Sequence, residues 1–475
     1  MSNAGKSNAG KSGSSASSRG VYFNTGNGPT IQLIDIGHPD YIALLAPDTA
    51  FWSLLKKDKL GEALTNRSFM GQYREKEASF SSEMQTLRFD LAPSAVYFNP
   101  TERCNLNCHY CYIPETIRKN GEHMAEEELI KALSILETYF QETVTDGRRP
   151  QIVFHGSEPM MNCRAVFAAM ERYREVFLFG IQTNGSLLDD EGVGFLTERG
   201  ISIGLSLDGH TGQTADAARK NWEGTGFSEK VVSIIKKLKD YQNYSVLCTV
   251  TQQNMKFLPD IVDHFHSLKI PCCMLNPVRC TLPGGRKLKP QDHELAAYYL
   301  RALDRSYELY QKTGRKMVIA NFANVLLSIV APTARRLMCD ISPCGGGRCF
   351  FAVSARGDLF PCSEFIGIPE FCGGNLFKGE IRQALSSPAF KEVTGRIVER
   401  IEPCARCAVR HFCGSPCPAE AHKMNGAINR PGAFCELYEE QVRYALRVIA
   451  DGKEDKYLWD HWDVDTTTSM KITAL

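Results

Sequence analysis

"AVYFNPTERCNLNCHYC", Ala95–Cys111, decides how the chain is read. Its opening, "AVYFNP", has the β-branched and aromatic content of a strand. Cysteines follow at 104, 108 and 111, in C-x3-C-x2-C spacing, with Tyr110 just before the third. In parallel α/β units ligands gather at the carboxyl ends of strands, so this cluster stands where a site belongs. Three thiols do not complete a site. A structural zinc wants four ligands, and His109, wedged beside Cys108, is an awkward chelator. A [4Fe–4S] cubane held by three thiolates leaves one iron open to a small molecule. Both metals remain open on these residues alone.

Downstream of this stretch, strands and helices alternate. "AEEELIKALSILETYF" puts Leu129, Leu133, Leu136 and Phe140 on one helical face. The runs "QIVFHG", "LFGIQTN", "ISIGLSLDG", "SVLCTVT" and "PCCMLNPV" read as further strands, with helical segments between them. Six strands between about Ala95 and Val278 predict a parallel α/β unit with right-handed crossovers. Six repeats fall short of the closed eight-stranded barrel, so a partial (β/α)6 barrel is expected over 94–290. "HELAAYYLRALDRSYELYQKTG" is a long helix in a connecting segment, 291–335. From 336 to 450 periodicity weakens and cysteines crowd, as in a domain whose core is partly held by metal. Residues 451–475 read as a tail. Upstream, 20–93 is a small α+β module with strand-like runs such as "TIQLIDIG" and a helix expected at "FWSLLKKDKLGEAL". Residues 1–19 repeat an SNAGK unit and read as disordered or tag-like. Gly5–Ser12 matches a P-loop pattern formally, but no strand precedes it and no amphipathic helix follows.

Composition bounds the rest. The chain has 475 residues, 43% of them hydrophobic, and a net charge of +1. Nothing points to a nucleic-acid partner or a membrane patch, and there is neither a membrane-spanning run nor a secretion signal. A cytoplasmic protein with reduced thiols is expected. Its 18 cysteines are explained by metal better than by disulfides.

The spacing C-x3-C-x-aromatic-C after the first strand of a partial barrel resembles the radical S-adenosylmethionine (SAM) enzymes. The resemblance implies that Cys104, Cys108 and Cys111 hold a [4Fe–4S] cluster whose fourth iron is chelated by SAM. "HGSEP", His155–Pro159, is similar to the family's GGEP motif, with Ser157 in place of the second Gly. The implied SAM contacts are Tyr110, Gly156, Ser157, Glu158, Pro159, Asn184 of "QTNG", Ser206 and Asp208 of "SLDG", and Arg219, whose fork geometry suits the SAM carboxylate. Each of these has a plainer reading as a turn former or cap.

Farther on, Cys344 and Cys362 read C-x12-G-x4-C, and Cys404, Cys407, Cys413 and Cys417 read C-x2-C-x5-C-x3-C, with Cys435 beyond them. This pattern resembles the SPASM auxiliary-cluster domain. It implies a first auxiliary [4Fe–4S] cluster on Cys344, Cys362 and Cys417, with Cys339 in the fourth place. It implies a second on Cys404, Cys407, Cys413 and Cys435, for three clusters in all. A pair of zinc ribbons is the plainer reading. Cys163, Cys248, Cys272, Cys273 and Cys280 read as buried apolar thiols, and Cys349 and Cys372 fit no ligand position.

Members of this subfamily mostly modify peptides or proteins. The expected function is that of a peptide maturase, similar to those that form sactipeptide and ranthipeptide thioethers in a Cys-containing precursor. The electron would come from a reducing partner such as a flavodoxin or ferredoxin. The alternatives are an anaerobic sulfatase maturase or another SPASM cofactor-biosynthetic enzyme, and, from another class, a non-catalytic iron–sulfur electron carrier. Sulfatase-maturing members place an Asp base after the cysteine matching Cys362. Here Ser363 and Glu364 follow, which weighs against that activity and leaves Glu364 as the one candidate base. Residues 20–93 would either bind a leader peptide by strand addition or serve as a packing extension.

Overall fold

The computed structural model describes residues 21–24 and 30–462. The Gly5–Ser12 match and the tag-like segment lie outside the described residues. Four antiparallel strands open the chain: β1 (Val21–Asn24), β2 (Thr30–Ile34), β3 (Tyr41–Ala46) and β4 (Phe51–Lys56), paired in that order. The helix expected at "FWSLLKKDKLGEAL" is half wrong. Its first six residues are β4, and α-helix begins only at Leu60. Phe51 to Leu55 are all buried, and a short apolar run covered on both faces has no period with which to tell strand from helix. A 19-residue helix, Arg67–Gln85, follows; Asn66 caps it by accepting from the backbone N–H groups of Ser68 and Phe69.

The main sheet is built from β5 (Ala95–Phe98), β6 (Gln151–Phe154), β7 (Leu178–Thr183), β8 (Ser202–Ser206), β9 (Tyr244–Val250) and β10 (Cys272–Pro277), all parallel. Leu129, Leu133, Leu136 and Phe140 are buried as expected, on the helix Glu126–Thr143. β9 shows why the barrel has two faces. Tyr244, Val246, Cys248 and Val250 are buried, while Leu247 and Thr249 alternate with them and line an internal cavity.

The sheet runs past the expected unit on both sides. β11 (Val318–Ile319) pairs parallel with β10, so the segment read as a connector contributes a strand as well as the helices Asp292–Thr313 and Ala320–Val330. The longer helix is stopped by Gly314, whose φ of +69° suits the left-handed cap. On the other side β12 (Phe350–Val353) pairs parallel with β5 and continues antiparallel into β13 (Asp358–Phe360) and β14 (Gly374–Asn375). One ten-stranded sheet therefore joins the barrel to the cysteine-rich region. Residues read as the start of a loose tail are packed: Tyr457 and Leu458 are buried, and the Tyr457 hydroxyl lies 3.0 Å from that of Tyr444.

The N-terminal module is fastened to the cysteine-rich region. Arg348 Nη1 donates to the Leu87 carbonyl at 2.8 Å, Arg443 Nη1 to that of Asp35 at 2.7 Å and Arg447 Nη1 to that of Ile36 at 2.6 Å. Arg88 pairs with Glu399 at 2.8 Å. Among the described residues no helix is long and apolar enough to cross a membrane.

Candidate active site

A cavity of about 420 Å³ opens along the inner face of the sheet. Cys104, Cys108, Cys111, Tyr110 and Arg219 line one part of it, and Cys339, Cys362 and Glu364 another. The two cysteine-bearing regions that the sequence separates by over two hundred residues thus share one chamber.

The first cysteine loop is pinned by backbone contacts. Asn107 N donates to Lys220 O at 2.7 Å, and His109 N to Ala218 O at 2.9 Å. Trp222 Nε1 donates to Cys104 O at 3.0 Å. Arg118 is buried and donates to the carbonyls of Leu106 and Ile113, each at 3.0 Å, with its guanidinium over the Trp222 ring. Gly284 and Gly285 let a second backbone approach this loop: a Cβ on Gly284 would lie 2.1 Å from His109 O. Burial pushes the Cys104 thiol up to about 12 and that of Cys108 up to about 11. Such thiols become ligands only when a metal's charge replaces the proton.

Around the loop the expected contacts divide into two groups. Gly156, Ser157, Asn184, Ser206, Tyr110 and Arg219 line the cavity. Gly156 has φ +107°, and a Cβ there would lie 2.3 Å from the Asn99 side chain. Ser157 is not among the residues with positive φ, so the Ser in place of Gly costs nothing in the turn. Its hydroxyl donates to Glu102 O at 2.7 Å. Glu158, Pro159 and Asp208 lie beside these residues, next to the cavity wall, and are buried. Glu158 is fully buried and already accepts from Thr183 Oγ1 at 2.7 Å, Asn184 N at 2.8 Å and Met160 N at 3.0 Å. These bonds hold the Asn184 turn. Pro159 starts the buried 3-10 turn Pro159–Asn162. Asp208 sits behind the wall and binds Arg219 Nε at 3.2 Å, Thr249 N at 2.8 Å and the Tyr110 hydroxyl. A buried carboxylate needs donors, and these find theirs inside the protein. The tyrosine also lies beneath the Arg219 guanidinium, 5.7 Å from centroid to carbon.

The remaining ligand candidates fall into two sets. Besides burial, Cys344, Cys362 and Cys417 act electrostatically on Cys339. Likewise Cys435, Cys407 and Cys404 act on Cys413. Cys339 presents its surface to the cavity, and Cys435 is exposed at the start of helix Cys435–Ala450. The donor chemistry suits cubanes, since each set offers four soft thiols, most of them partly or fully buried. Of the other thiols, Cys248, Cys273 and Cys280 are buried as expected and Cys272 partly so, but Cys163 is exposed at a helix start. Cys372 lines a separate surface cleft and Cys349 is half-buried beside Arg348.

Glu364 lies in the 3-10 turn after Cys362. Its Oε1 is 3.4 Å from Arg279 Nε, and its Oε2 is buried with no hydrogen-bond partner among the described residues. Burial raises its pKa, Arg279 opposes the rise, and Glu420 adds to it. Sequence reasoning missed Arg118, Trp222 and Arg279. The bulk and charge of the three are ordinary in composition, and only the fold brings them to the site.

The chain matches the Radical SAM superfamily over residues 98–264 and the SPASM iron–sulfur cluster-binding domain over 344–408. An uncharacterized protein of Archaeoglobus fulgidus is 40% identical over 408 residues, covering 86% of this chain and 92% of that protein. A cysteine-type anaerobic sulfatase-maturating enzyme of Clostridium perfringens is 23% identical, covering 75% of this chain and 97% of that enzyme. Among solved structures, anSMEcpe with bound AdoMet aligns at TM-score 0.68 and 20% identity, over 78% of this chain and 97% of that one. SuiB of Streptococcus suis bound to precursor peptide SuiA aligns at 0.56 and 13%, over 83% and 96%. With its first cysteine loop on the barrel and its later cysteines on the appended sheet, this chain belongs to the radical SAM superfamily, as an enzyme carrying a SPASM iron–sulfur domain.

Proposed function

We propose that the enzyme abstracts hydrogen from a side chain of a Cys-containing precursor peptide and installs a thioether (sulfur-to-carbon) or related cross-link. The carrying observation is the single cavity with the first cysteine loop and Arg219 at one part and Cys339, Cys362 and Glu364 at another. SAM and three [4Fe–4S] clusters would supply the electron and the hydrogen-abstracting carbon radical. Cys104, Cys108 and Cys111 would hold the first cluster. Cys344, Cys362, Cys417 and Cys339 would hold the second, and Cys404, Cys407, Cys413 and Cys435 the third. Arg219, oriented through Nε by Asp208, keeps its other donors for the SAM carboxylate. Asn184, Ser206 and the Gly156–Ser157 backbone would bind and orient the rest of SAM. Glu364 would take the substrate proton at its unpartnered Oε2. A flavodoxin- or ferredoxin-type protein would deliver electrons. The fastening of residues 20–93 to the C-terminal region supports the packing role for that module over leader binding.

A second reading, sulfatase maturation, is favoured by Glu364. It reaches the chamber next to Cys362, where the departure from Asp had weighed against this activity. Cys339, acted on by Cys344, Cys362 and Cys417, supports its own thiol as the fourth ligand of the first auxiliary cluster. Anaerobically reconstituted enzyme with SAM and dithionite, given a Cys-containing peptide or a folded sulfatase fragment, separates the readings. The first expects 5′-deoxyadenosine and a peptide lighter by two hydrogens that keeps its sulfur, lost when the peptide cysteine is Ser. Oxidation of the sulfatase fragment alone sinks it.

A further inference from the structure

Arg396 is only 2% exposed and among the largest fully buried side chains of the molecule. Its guanidinium donates to neutral oxygens alone: Nε to Ile428 O at 2.6 Å, and Nη2 to Arg430 O at 3.0 Å and to Ser415 Oγ at 3.1 Å. No carboxylate lies within ion-pair distance of it among the described residues. A buried, unpaired cation is costly, and proteins keep one where an anion meets it.

The position of Ser415 says which anion. It lies midway along the short link from Cys413, of one cysteine set, to Cys417, of the other. Three residues of that link, Gly414, Ser415 and Cys417, have positive φ, so the backbone is bent tightly around the guanidinium's partner. The thiols acting electrostatically on Arg396, against a burial that lowers its pKa, come two from each set: Cys344 and Cys417, Cys404 and Cys413.

We propose that Arg396 is the shared counter-cation of the two auxiliary cysteine sets, a fixed positive charge at the link between them that favours the reduced state of both clusters. The inference rests on the reading that each set holds a [4Fe–4S] cluster. A cubane on four thiolates is an anion and becomes more so on reduction. Nearby charge and hydrogen bonding set its potential. A cation held at the link between the sets, through Ser415, acts on both, whereas one facing a single set would split their potentials.

The test is an anaerobic redox titration of reconstituted full-length enzyme, followed by electron paramagnetic resonance, for wild type, Arg396→Gln and Arg396→Lys. In Arg396→Gln with iron retained, the reduced-to-oxidised ratio at a fixed potential should fall about tenfold for both auxiliary clusters. That is a shift of about 59 mV downward for a one-electron couple. The cluster on Cys104, Cys108 and Cys111 should not move, and Arg396→Lys should restore the wild-type ratios. Loss of auxiliary iron in Arg396→Gln but not in Arg396→Lys also supports the charge role. Loss in both variants assigns Arg396 to packing and overturns it, as do unmoved potentials with full iron or a shift in one auxiliary cluster only. Wild-type enzyme that loads iron at the first site alone sinks the cluster reading itself, and is recognised before any variant is made.

Discussion

The two cysteine regions are built differently. The loop of Cys104, Cys108 and Cys111 hangs from the end of β5 and is held by backbone bonds to 218–222 and by the buried Arg118. Its shape is held by the protein's own hydrogen bonds. The later cysteines sit on irregular links, with positive φ at Gly414, Ser415, Cys417 and Phe434, and among buried arginines at 88, 335, 348, 396 and 410. There the chain has strain and charge to offset, and little regular structure to offset them. On the proposed reading, a loop that leaves an iron open to a cosubstrate is given a rigid mount, while sets completed by the protein's own thiols let metal do the folding.

The contrast predicts unequal costs. Replacing Cys404, Cys407, Cys413 and Cys435 together with Ala should destabilise residues 336–450 by several kcal/mol, on the order of 5 or more, because metal binding there is folding energy. Limited proteolysis should cut that region first. The same change at Cys104, Cys108 and Cys111 should remove about four irons and cost only about 1–2 kcal/mol. Equal losses would erase the distinction. Next in size, Arg219→Ala should weaken SAM binding roughly ten- to hundredfold, for a charge-assisted bond of about 1.5–3 kcal/mol. Asp208→Asn should weaken it less, since it leaves the Arg219 charge in place and disturbs its orientation; an equilibrium binding assay compares the two. Gly156→Ala should cost about 1–3 kcal/mol in denaturant unfolding, from strain at φ +107° and collision with Asn99.

The smallest effect concerns pH. Burial lowers the pKa of His155 to about 4, and its Nδ1 has no partner among the described residues. The unfolded chain therefore binds a proton that the native state refuses between about pH 4 and 6.5, so stability rises with pH across that window. The slope from this group is at most about 1.4 kcal/mol per pH unit. His155→Asn should flatten the denaturation midpoint measured from pH 5 to 6.5, and an unchanged slope would remove His155 from the account.

The barrel was legible because its residues repeat. Leu129, Leu133, Leu136 and Phe140 follow the helical period, and β9 alternates. The cysteines were legible because spacing survives in one dimension. What the sequence hid is pairing across distance. Nothing in "FFAV" says that Phe350–Val353 will lie beside Ala95–Phe98 and bring Cys362 to the chamber. A motif records that a carboxylate is needed at Glu158 and Asp208, not which protein groups it holds. The fold shows that Glu158 binds the Asn184 backbone and Asp208 binds Arg219. Phe51–Leu55 was read as helix because a run buried on both faces shows no period.

The most direct test of the contrast is electron paramagnetic resonance of the fully reconstituted, reduced enzyme with and without SAM. The account predicts three [4Fe–4S] contributions, of which SAM perturbs one, the one abolished by changing Cys104, Cys108 and Cys111 to Ala. The auxiliary signals, completed by protein thiols, should be unchanged. A SAM-dependent shift that survives that triple substitution, or that disappears with Cys344 or Cys417 instead, would contradict it.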